Sequence, residues 1–227
     1  EQERDTVVDE LIVTADKREM NLQEVPASVS AVSGDSLQEL GVGRLDDLNA
    51  MIPGFNVTDL GSPGQTIVTL RGIAPLGPGA VVGTYIDETP LGSSAAYARA
   101  ITFALDLMPY DIERFEVLRG PQGTLYGASS MGGLLKYVMK KADPTDIEVR
   151  AGSDISWIGD SDGPSFNLRG AVNIPIVQDK LAIRGSVFNA YNQGFTDNFF
   201  PAGAQGGQIA EDTNNIHQWG GRLAATW

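Results

Sequence analysis

The segment from Glu116 to Lys136 constrains the fold of this chain more than any other. It reads Glu-Val-Leu-Arg-Gly-Pro-Gln-Gly-Thr-Leu-Tyr-Gly-Ala-Ser-Ser-Met-Gly-Gly-Leu-Leu-Lys. A β-prone run, Phe115 to Leu118, leads into Arg119, and glycines then fall at 120, 123, 127, 132 and 133. Glycine reaches positive φ without a Cβ clash and lets two backbones approach closely, and Pro121 fixes φ where the turn begins. The expected local structure is a strand, a tightly wound turn and a second strand, Leu134 to Met139. Two glycine-rich ligand loops are excluded by spacing. A phosphate loop needs G-x-x-x-x-G-K-[ST], and no Lys-Ser or Lys-Thr follows these glycines. The interval from Gly120 to Gly123 breaks the dinucleotide pattern G-x-G-x-x-G. From the residues alone, the segment is a glycine-rich structural turn.

Composition narrows the chemistry. The 227 residues include no Cys and one His, and the formal charge is -13. There is no thiol nucleophile, disulfide or thiolate metal site. His217 has no Ser-His or Cys-His constellation around it, and the adjacent carboxylates Asp46-Asp47 and Asp87-Glu88 lack the partners of an acid–base site. Asp160-Ser-Asp162-Gly163 resembles the start of a calcium loop without its remaining ligands. No catalytic site, metal site or cofactor is expected, so the chain reads as a non-enzyme. The acidic balance argues against nucleic acid; it suits cations, or bridging to anionic lipopolysaccharide through divalent metal. No run of 18 apolar residues that could form a membrane helix is present. No signal-peptide pattern is visible either, so in an exported protein Glu1 lies at or beyond the cleavage point.

The chain changes character near residue 145. Before it come a polar tail, Glu1 to Asp9, a short β-prone run to Ala15, and a linker, Lys17 to Glu24. A strand is expected over 26–32. Ser33 or Asp35 caps a short helix, Ser36 to Leu40, which Gly41 closes. A second short helix, Leu45 to Met51, carries Leu45, Leu48 and Ile52 on one core-facing side. Strands follow at Phe55–Thr58, Thr66–Leu70, Val81–Asp87 and Asp111–Leu118; Ile101 to Leu107 is ambiguous. From Asp146 onward the period is two. Ile147, Val149, Ala151, Ile155 and Trp157 alternate with Glu148, Arg150, Asp154 and Ser156. The same alternation runs over 166–176, 181–191 and 218–227, with a short turn at 177–180 and a long polar loop at 192–216. Each stretch has about the ten residues a tilted bilayer-spanning strand needs. Half of a soluble antiparallel sandwich is the competing reading. The barrel wall is favoured because Arg150, Arg169, Arg184 and Arg222 all fall on the polar phase; an Arg on the lipid face at mid-membrane costs about 2–4 kcal/mol. Trp157, Tyr191, Trp219 and Trp227 fall on the apolar phase near strand ends, as in an interfacial girdle. The four arginines are expected to face a lumen, and Val149, Leu168, Ile183 and Leu223 to face lipid.

Leu118-Arg-Gly-Pro-Gln-Gly-Thr-Leu-Tyr-Gly-Ala128 resembles the most recognisable segment of the plug domain of TonB-dependent outer-membrane receptors. Met131-Gly-Gly-Leu-Leu-Lys-Tyr-Val-Met-Lys140 matches the strand that follows it there, with Met139 where Thr is common. Val68-Thr-Leu-Arg-Gly-Ile73, Tyr85-Ile-Asp-Glu-Thr-Pro90 and Ile112-Glu-Arg-Phe-Glu-Val117 resemble plug segments in the family's order, so the likeness spans roughly 9–142. It implies an α+β plug domain followed by antiparallel transmembrane β-barrel strands, the first four of a barrel of about 22. The corresponding division is 1–24 tail and linker, 25–144 plug and 145–227 wall. Four strands cannot close a barrel, so the chain is expected to be an N-terminal fragment.

The resemblance also implies function: energised uptake, across the outer membrane of a Gram-negative bacterium, of a scarce small molecule. A ferric siderophore or similar metal chelate is the family default; carbohydrate and cobalamin are alternatives. The partner is TonB with its inner-membrane energising complex. Asp9-Glu10-Leu11-Ile12-Val13-Thr14-Ala15 resembles the TonB box Asp-Thr-Leu-Val-Val-Thr-Ala, with Glu10 in place of Thr. Such a box adds as a strand to a partner's sheet edge; an ordinary first strand is the other reading, and Asp5 to Val8 is a weaker candidate. Buried charges need partners, which makes Arg71, Glu113, Glu116 and Arg119 candidates for a releasable plug–barrel lock. The loops 59–65, 73–80 and 92–99 are expected to include ligand contacts, with Ser62, Gln65, Leu76, Tyr97 and Arg99 as candidates. A non-transporting β-rich surface binding or adhesion protein is the alternative class; it needs neither box nor plug.

Overall fold

The computed structural model describes residues 12–15, 17–25, 27–60, 66–75, 80–91, 110–159, 161–199 and 209–227. The chain divides into two compact units, Glu1–Lys140 and Lys141–Trp227.

In the first unit β1 (Ile12–Ala15) and β2 (Arg18–Asn21) form an antiparallel hairpin. Lys17 makes the reversal with φ 58°. A 3-10 turn, Leu22–Glu24, follows, with the Asn21 side chain accepting the Gln23 N–H. The stretch expected as linker is therefore ordered, because the hairpin register gives its backbone groups partners. Next come β3 (Ser28–Ser33) and α1 (Gly34–Glu39), which Ser33 caps by accepting the Ser36 N–H at 3.1 Å. The element expected as an α-helix at 45–51 is a 3-10 helix, Leu45–Ala50. Leu45 and Leu48 lie three apart, so three residues per turn stack them on one side; both are buried with Ile52. The Asp47 carboxylate accepts the N–H groups of Gly43 and Arg44 at its start.

β4 (Phe55–Asp59) and β5 (Thr66–Leu70) make a separate hairpin sheet. β6 (Val82–Ile86), β7 (Thr89–Leu91), β8 (Ile112–Arg119) and β9 (Gly133–Met139) join β3 in a mixed five-stranded sheet of order β3-β8-β9-β6-β7. Only β6–β9 is parallel. One sheet face, bearing Phe115, Val117, Leu135 and Tyr137, packs on Leu37, Leu45, Leu48, Ile52, Phe55 and Leu70. The glycine-rich turn contains a single helical turn, α2 (Gly123–Tyr126), that alternation could not reveal. Tyr126 closes a smaller cluster with Tyr85, Leu118 and Leu134 on the opposite sheet face. The expected strand–turn–strand is present, and Gly133 shows why glycine is needed. Its φ is 138°, and a Cβ there would lie 2.2 Å from the Leu118 carbonyl oxygen and 2.7 Å from Leu70 Cδ1.

The second unit is a four-stranded antiparallel sheet of β10 (Glu148–Ser156), β11 (Ser165–Val177), β12 (Leu181–Asn192) and, after a small hairpin of β13 (Asn198–Phe199) and β14 (Ile209–Ala210), β15 (Ile216–Thr226). The register puts the two sets of residues on opposite faces, as the alternation predicts. Gly152 opposes Arg169, Asn173 opposes Arg184, and Ser186 opposes Arg222, so Arg150, Arg169, Arg184 and Arg222 share one face. Val149, Leu168, Ile183 and Leu223 lie on the other, all exposed. Charges on the polar face are paired. Glu148 holds both Arg150 and Arg184, the latter at 2.6 Å, and Asp154 holds Arg169 at 2.7 Å. On the apolar face Ile155, Phe166, Tyr191 and His217 form a row at one end, with Phe166 stacked on Tyr191 at 5.4 Å; Trp227 marks the other end.

The segment ahead of β10 is tied to the wall. The fully buried Asn173 side chain accepts the Asp143 N–H at 2.9 Å and donates to the carbonyls of Asp143 and Asp146 at 2.8 and 2.6 Å. Gln178 adds a hydrogen bond to the Thr145 carbonyl at 3.0 Å. The Thr145 hydroxyl and N–H both donate to the Asp143 carboxylate and hold its pKa below the ordinary 3.8.

Gly133→Ala should destabilise the first unit by about 1–3 kcal/mol through backbone strain and overlap, read as a lower denaturant midpoint; an unchanged midpoint would contradict the close approach. Asn173→Ala should loosen residues 143–146 by about 1–3 kcal/mol, read as faster amide exchange there. Because the Asp143 pKa is depressed, its stabilising contribution is complete above the ordinary carboxylate range and is lost as pH falls through the lower folded value. Amide protection at 143–146 should therefore hold from neutrality down to about pH 4 and decline only below it.

Candidate functional site

One face of the central sheet is charged where an apolar surface would be expected. Period-two alternation along β8 puts Arg114, Glu116 and Leu118 on this face and Phe115 and Val117 on the core face. Across the ladder Glu116 opposes Ala31 on β3 and Lys136 on β9, and Lys136 opposes Tyr85 on β6. All three charged groups are enclosed: Glu116 is 0% exposed, Lys136 1% and Arg114 5%. Arg114 Nε donates to Glu116 Oε1 at 2.7 Å, and its guanidinium also pairs with Glu113. Lys136 pairs with Glu88. The Tyr85 hydroxyl donates to the Tyr126 carbonyl at 2.5 Å; burial, then the Glu88 charge, raises its pKa.

The β1–β2 hairpin meets this face. The Thr14 N–H donates to Glu116 Oε1 at 2.8 Å, and Arg114 Nη2 donates to the Thr14 hydroxyl at 2.9 Å. Val13 is completely buried, whereas Ile12 is half-exposed. Lys17 Nζ stands 5.6 Å from the centre of the Tyr126 ring, a cation–π contact. Of the predicted box, Ile12 to Ala15 are described, and they are paired with β2 rather than free as expected; Asp9, Glu10 and Leu11 lie outside the described residues.

The four charges read as a plug–barrel lock separate. Glu116 is engaged by Arg114 and Thr14. Arg119 donates to the Pro53 carbonyl and to Ser30 Oγ, each at 2.9 Å. Glu113 pairs with Arg114 at the surface. Arg71 is exposed, at φ 51°, and its N–H donates to the Gly54 carbonyl at 2.7 Å. The candidate ligand contacts Ser62, Gln65, Leu76, Tyr97 and Arg99 lie outside the described residues. Beside the base of the long loop, Asp162, Asp197 and Asp212 crowd Glu211, and chiefly the Asp162 charge raises its pKa. Among the described residues no cluster suited to a metal ion occurs, and no helix is long and apolar enough to cross a membrane.

Sequence reasoning missed Arg114, Lys136 and the contacts of Thr14. The signal for the first two was legible: Arg114 and Glu116 share a parity on β8, and Lys136 interrupts an otherwise apolar strand. The Thr14 contact spans 102 residues of sequence, and no local pattern encodes it.

The TonB-dependent receptor plug domain model matches residues 21–134, half of the chain. The pesticin receptor of Yersinia pestis is 33% identical over 167 residues, which cover 71% of this chain and 23% of that protein. A vitamin B12 transporter of Vibrio vulnificus is 30% identical over 151 residues, 64% of this chain and 23% of that protein. Among solved structures, the ferric yersiniabactin uptake receptor of Yersinia pestis superposes with a TM-score of 0.65 at 25% identity, over 88% of this chain and 28% of that one. The chain thus spans about a quarter of the length of the proteins it matches. By its plug fold, its strand pattern and these likenesses, this chain belongs to the TonB-dependent outer-membrane receptors, of which it carries the plug domain and part of the β-barrel wall.

Proposed function

We propose that the chain provides the plug and four wall strands of a receptor that takes up a ferric siderophore or similar metal chelate, energised by TonB through the segment Asp9–Ala15. The observation that carries this reading is a β-prone strand held at the margin of the plug by side-chain contacts, outside the five-stranded sheet. A strand in that position is available to pair with a partner's sheet edge without dismantling the plug core. The chelate class is supported by a structural neighbour named for ferric yersiniabactin, while a relative named for vitamin B12 supports the cobalamin alternative. Outer-membrane lipid and lipopolysaccharide are the proposed surroundings of the exposed apolar face of the wall. The plug–barrel lock remains part of the proposal. Arg71 and Glu113 are the exposed members of the set, and Glu116 and Arg119 are engaged inside the plug.

Backbone pairing tolerates side-chain exchange but not proline, which lacks the N–H and fixes φ. The full-length receptor carrying Ile12→Pro should therefore lose uptake, and Ile12→Val should keep it, while both retain surface binding. The measurement is paired binding and uptake of a panel of radioiron chelates and labelled cobalamin by cells carrying each variant. Normal uptake by Ile12→Pro would rule out this box. Binding with no energised uptake in the wild type would favour a surface binding protein. Uptake of cobalamin alone would replace the ferric ligand.

A further inference from the structure

We infer that the apolar face of the wall carries a site for a lipopolysaccharide molecule of the outer leaflet; this rests on the proposal above that the face meets outer-membrane lipid. A basin of about 630 Å³ opens there, bordered by Ala151, Ser153, Leu168, Gly170, Val187 and Asn189. The ladder sets Ser153 against Leu168 and Leu168 against Asn189 in one row, and Ala151 against Gly170 and Gly170 against Val187 in the next. Two successive rows of the apolar phase thus enclose it. The hollow exists because Ala151 and Gly170 offer no side chain beyond a methyl group, while Leu168 and Val187 stand beside them. Its volume falls in the range of small-molecule pockets.

The depth of the basin selects the lipid. A short turn joins β11 to β12, whereas residues 193–215 separate β12 from β15. Outer-membrane barrels keep short turns in the periplasm and long loops outside. The row of Phe166, Tyr191 and His217 lies at the long-loop end and marks the outer interface. Asn189 is two residues below Tyr191 and Val187 four, about 7 and 13 Å at the rise of a strand. The basin therefore lies in the outer leaflet, just beneath the headgroups. Ser153 and Asn189 are polar on a face that is otherwise apolar below that row. Asn189 Oδ1 accepts from His217 Nε2 at 3.2 Å, which requires the Nε2–H form of the imidazole. Among the described residues no protein acceptor takes the Asn189 amide N–H groups or the Ser153 hydroxyl. An unmade hydrogen bond at this depth is costly, because lipid supplies no water. A bare hydrocarbon chain cannot satisfy these groups. The acyl chains of lipopolysaccharide can, since they join their sugars through ester and amide carbonyls and bear hydroxyls near that junction. The chain fills the hollow, its linkage meets Ser153 and Asn189, and the sugar rests on Tyr191 and His217.

Packing against hydrocarbon does not distinguish one lipid tail from another, so selectivity comes from the hydrogen bonds. Gly170→Leu fills the hollow without strain, since a Cβ there meets nothing nearer than the Arg150 carbonyl oxygen at 3.9 Å. Gly185→Leu adds the same group to the same face outside the basin, where the nearest atom is 3.8 Å away. Asn189→Leu removes the donors and keeps the bulk. The full-length receptor and these three variants are equilibrated in micelles holding equal amounts of deep-rough lipopolysaccharide and phosphatidylethanolamine. Retained lipid is then counted by native mass spectrometry. The wild type should prefer lipopolysaccharide roughly tenfold, the selectivity of about two hydrogen bonds made in lipid. Gly170→Leu should abolish the preference, Asn189→Leu should lower it about threefold, and Gly185→Leu should leave it unchanged. Equal retention of the two lipids by the wild type overturns the site. So does an unchanged preference in Gly170→Leu or Asn189→Leu, or an equal loss in Gly185→Leu. In each of these cases the lipid-facing wall still stands. Retention of neither lipid by the wild type overturns the lipid-facing reading itself, and the site with it.

Discussion

The pairing of Arg114 with Glu116 organises one whole face of the first unit. A five-stranded sheet must cover both faces, and one is an ordinary apolar core. The other carries buried Arg114, Glu116 and Lys136 beside Tyr85 and Leu118. Removing an ion from water is unfavourable by several kcal/mol even after relaxation, so such groups persist only with partners in good geometry. Arg114 satisfies that condition by serving Glu113, Glu116 and Thr14 at once. A planar guanidinium with five donors can do this; an ammonium on a flexible stem is less suited. The same pair holds β1 to the folded unit, since Glu116 accepts the Thr14 N–H and Arg114 donates to the Thr14 hydroxyl.

Much of this was legible from residue order. The glycines at 120, 127 and 133 all adopt positive φ, as a wound turn between strands requires. The parity of Arg150, Arg169, Arg184 and Arg222 fixed the facing of four strands, because a one-residue slip would move every one of them to the other side. The short elements were less legible. The 3-10 geometry at Leu45–Ala50 and the single turn at Gly123–Tyr126 are shorter than the window in which a period can be read. The sequence marks Ile12–Ala15 as β-prone but reads β2 as linker, because its four residues carry too few apolar positions to alternate visibly, and the hairpin is held by Glu116 and Arg114, about a hundred residues away.

The wall strands solve the same problem with shorter-range means. Glu148 lies on β10, two residues from Arg150, and reaches Arg184 on β12 across the intervening β11. One carboxylate thus links β10 to β12 across β11 on the polar face, while the opposite face stays free of charge from Val149 to Leu223. Buried charge in the first unit is tied to docking of a strand; in the second it ties neighbouring strands to one another. The two arrangements respond differently to a single loss. Removing Thr14 from its contacts leaves the five-stranded sheet bonded as before, whereas removing Glu148 would leave two guanidinium groups without this acceptor.

This difference sets where the chain yields first when drawn from its N-terminal side. β1 and β2 form a sheet of their own, joined to β8 through the Glu116 and Arg114 side chains. Their two-stranded ladder can part from the unit without breaking a backbone bond of the sheet β3-β8-β9-β6-β7. Beyond them β3 is an edge strand of that sheet, hydrogen-bonded to β8 over its full length from Ser28 to Ser33. Separating it costs a ladder of backbone bonds together with the Arg119–Ser30 contact. Far along the chain, the segment at 143–146 is fixed by a buried Asn173 that uses both donors and its acceptor. Resistance therefore rises from a few side-chain contacts at β1, through a full ladder at β3, to a fully satisfied buried amide ahead of β10. The first step is thus weak and polar, and it leaves the plug core intact.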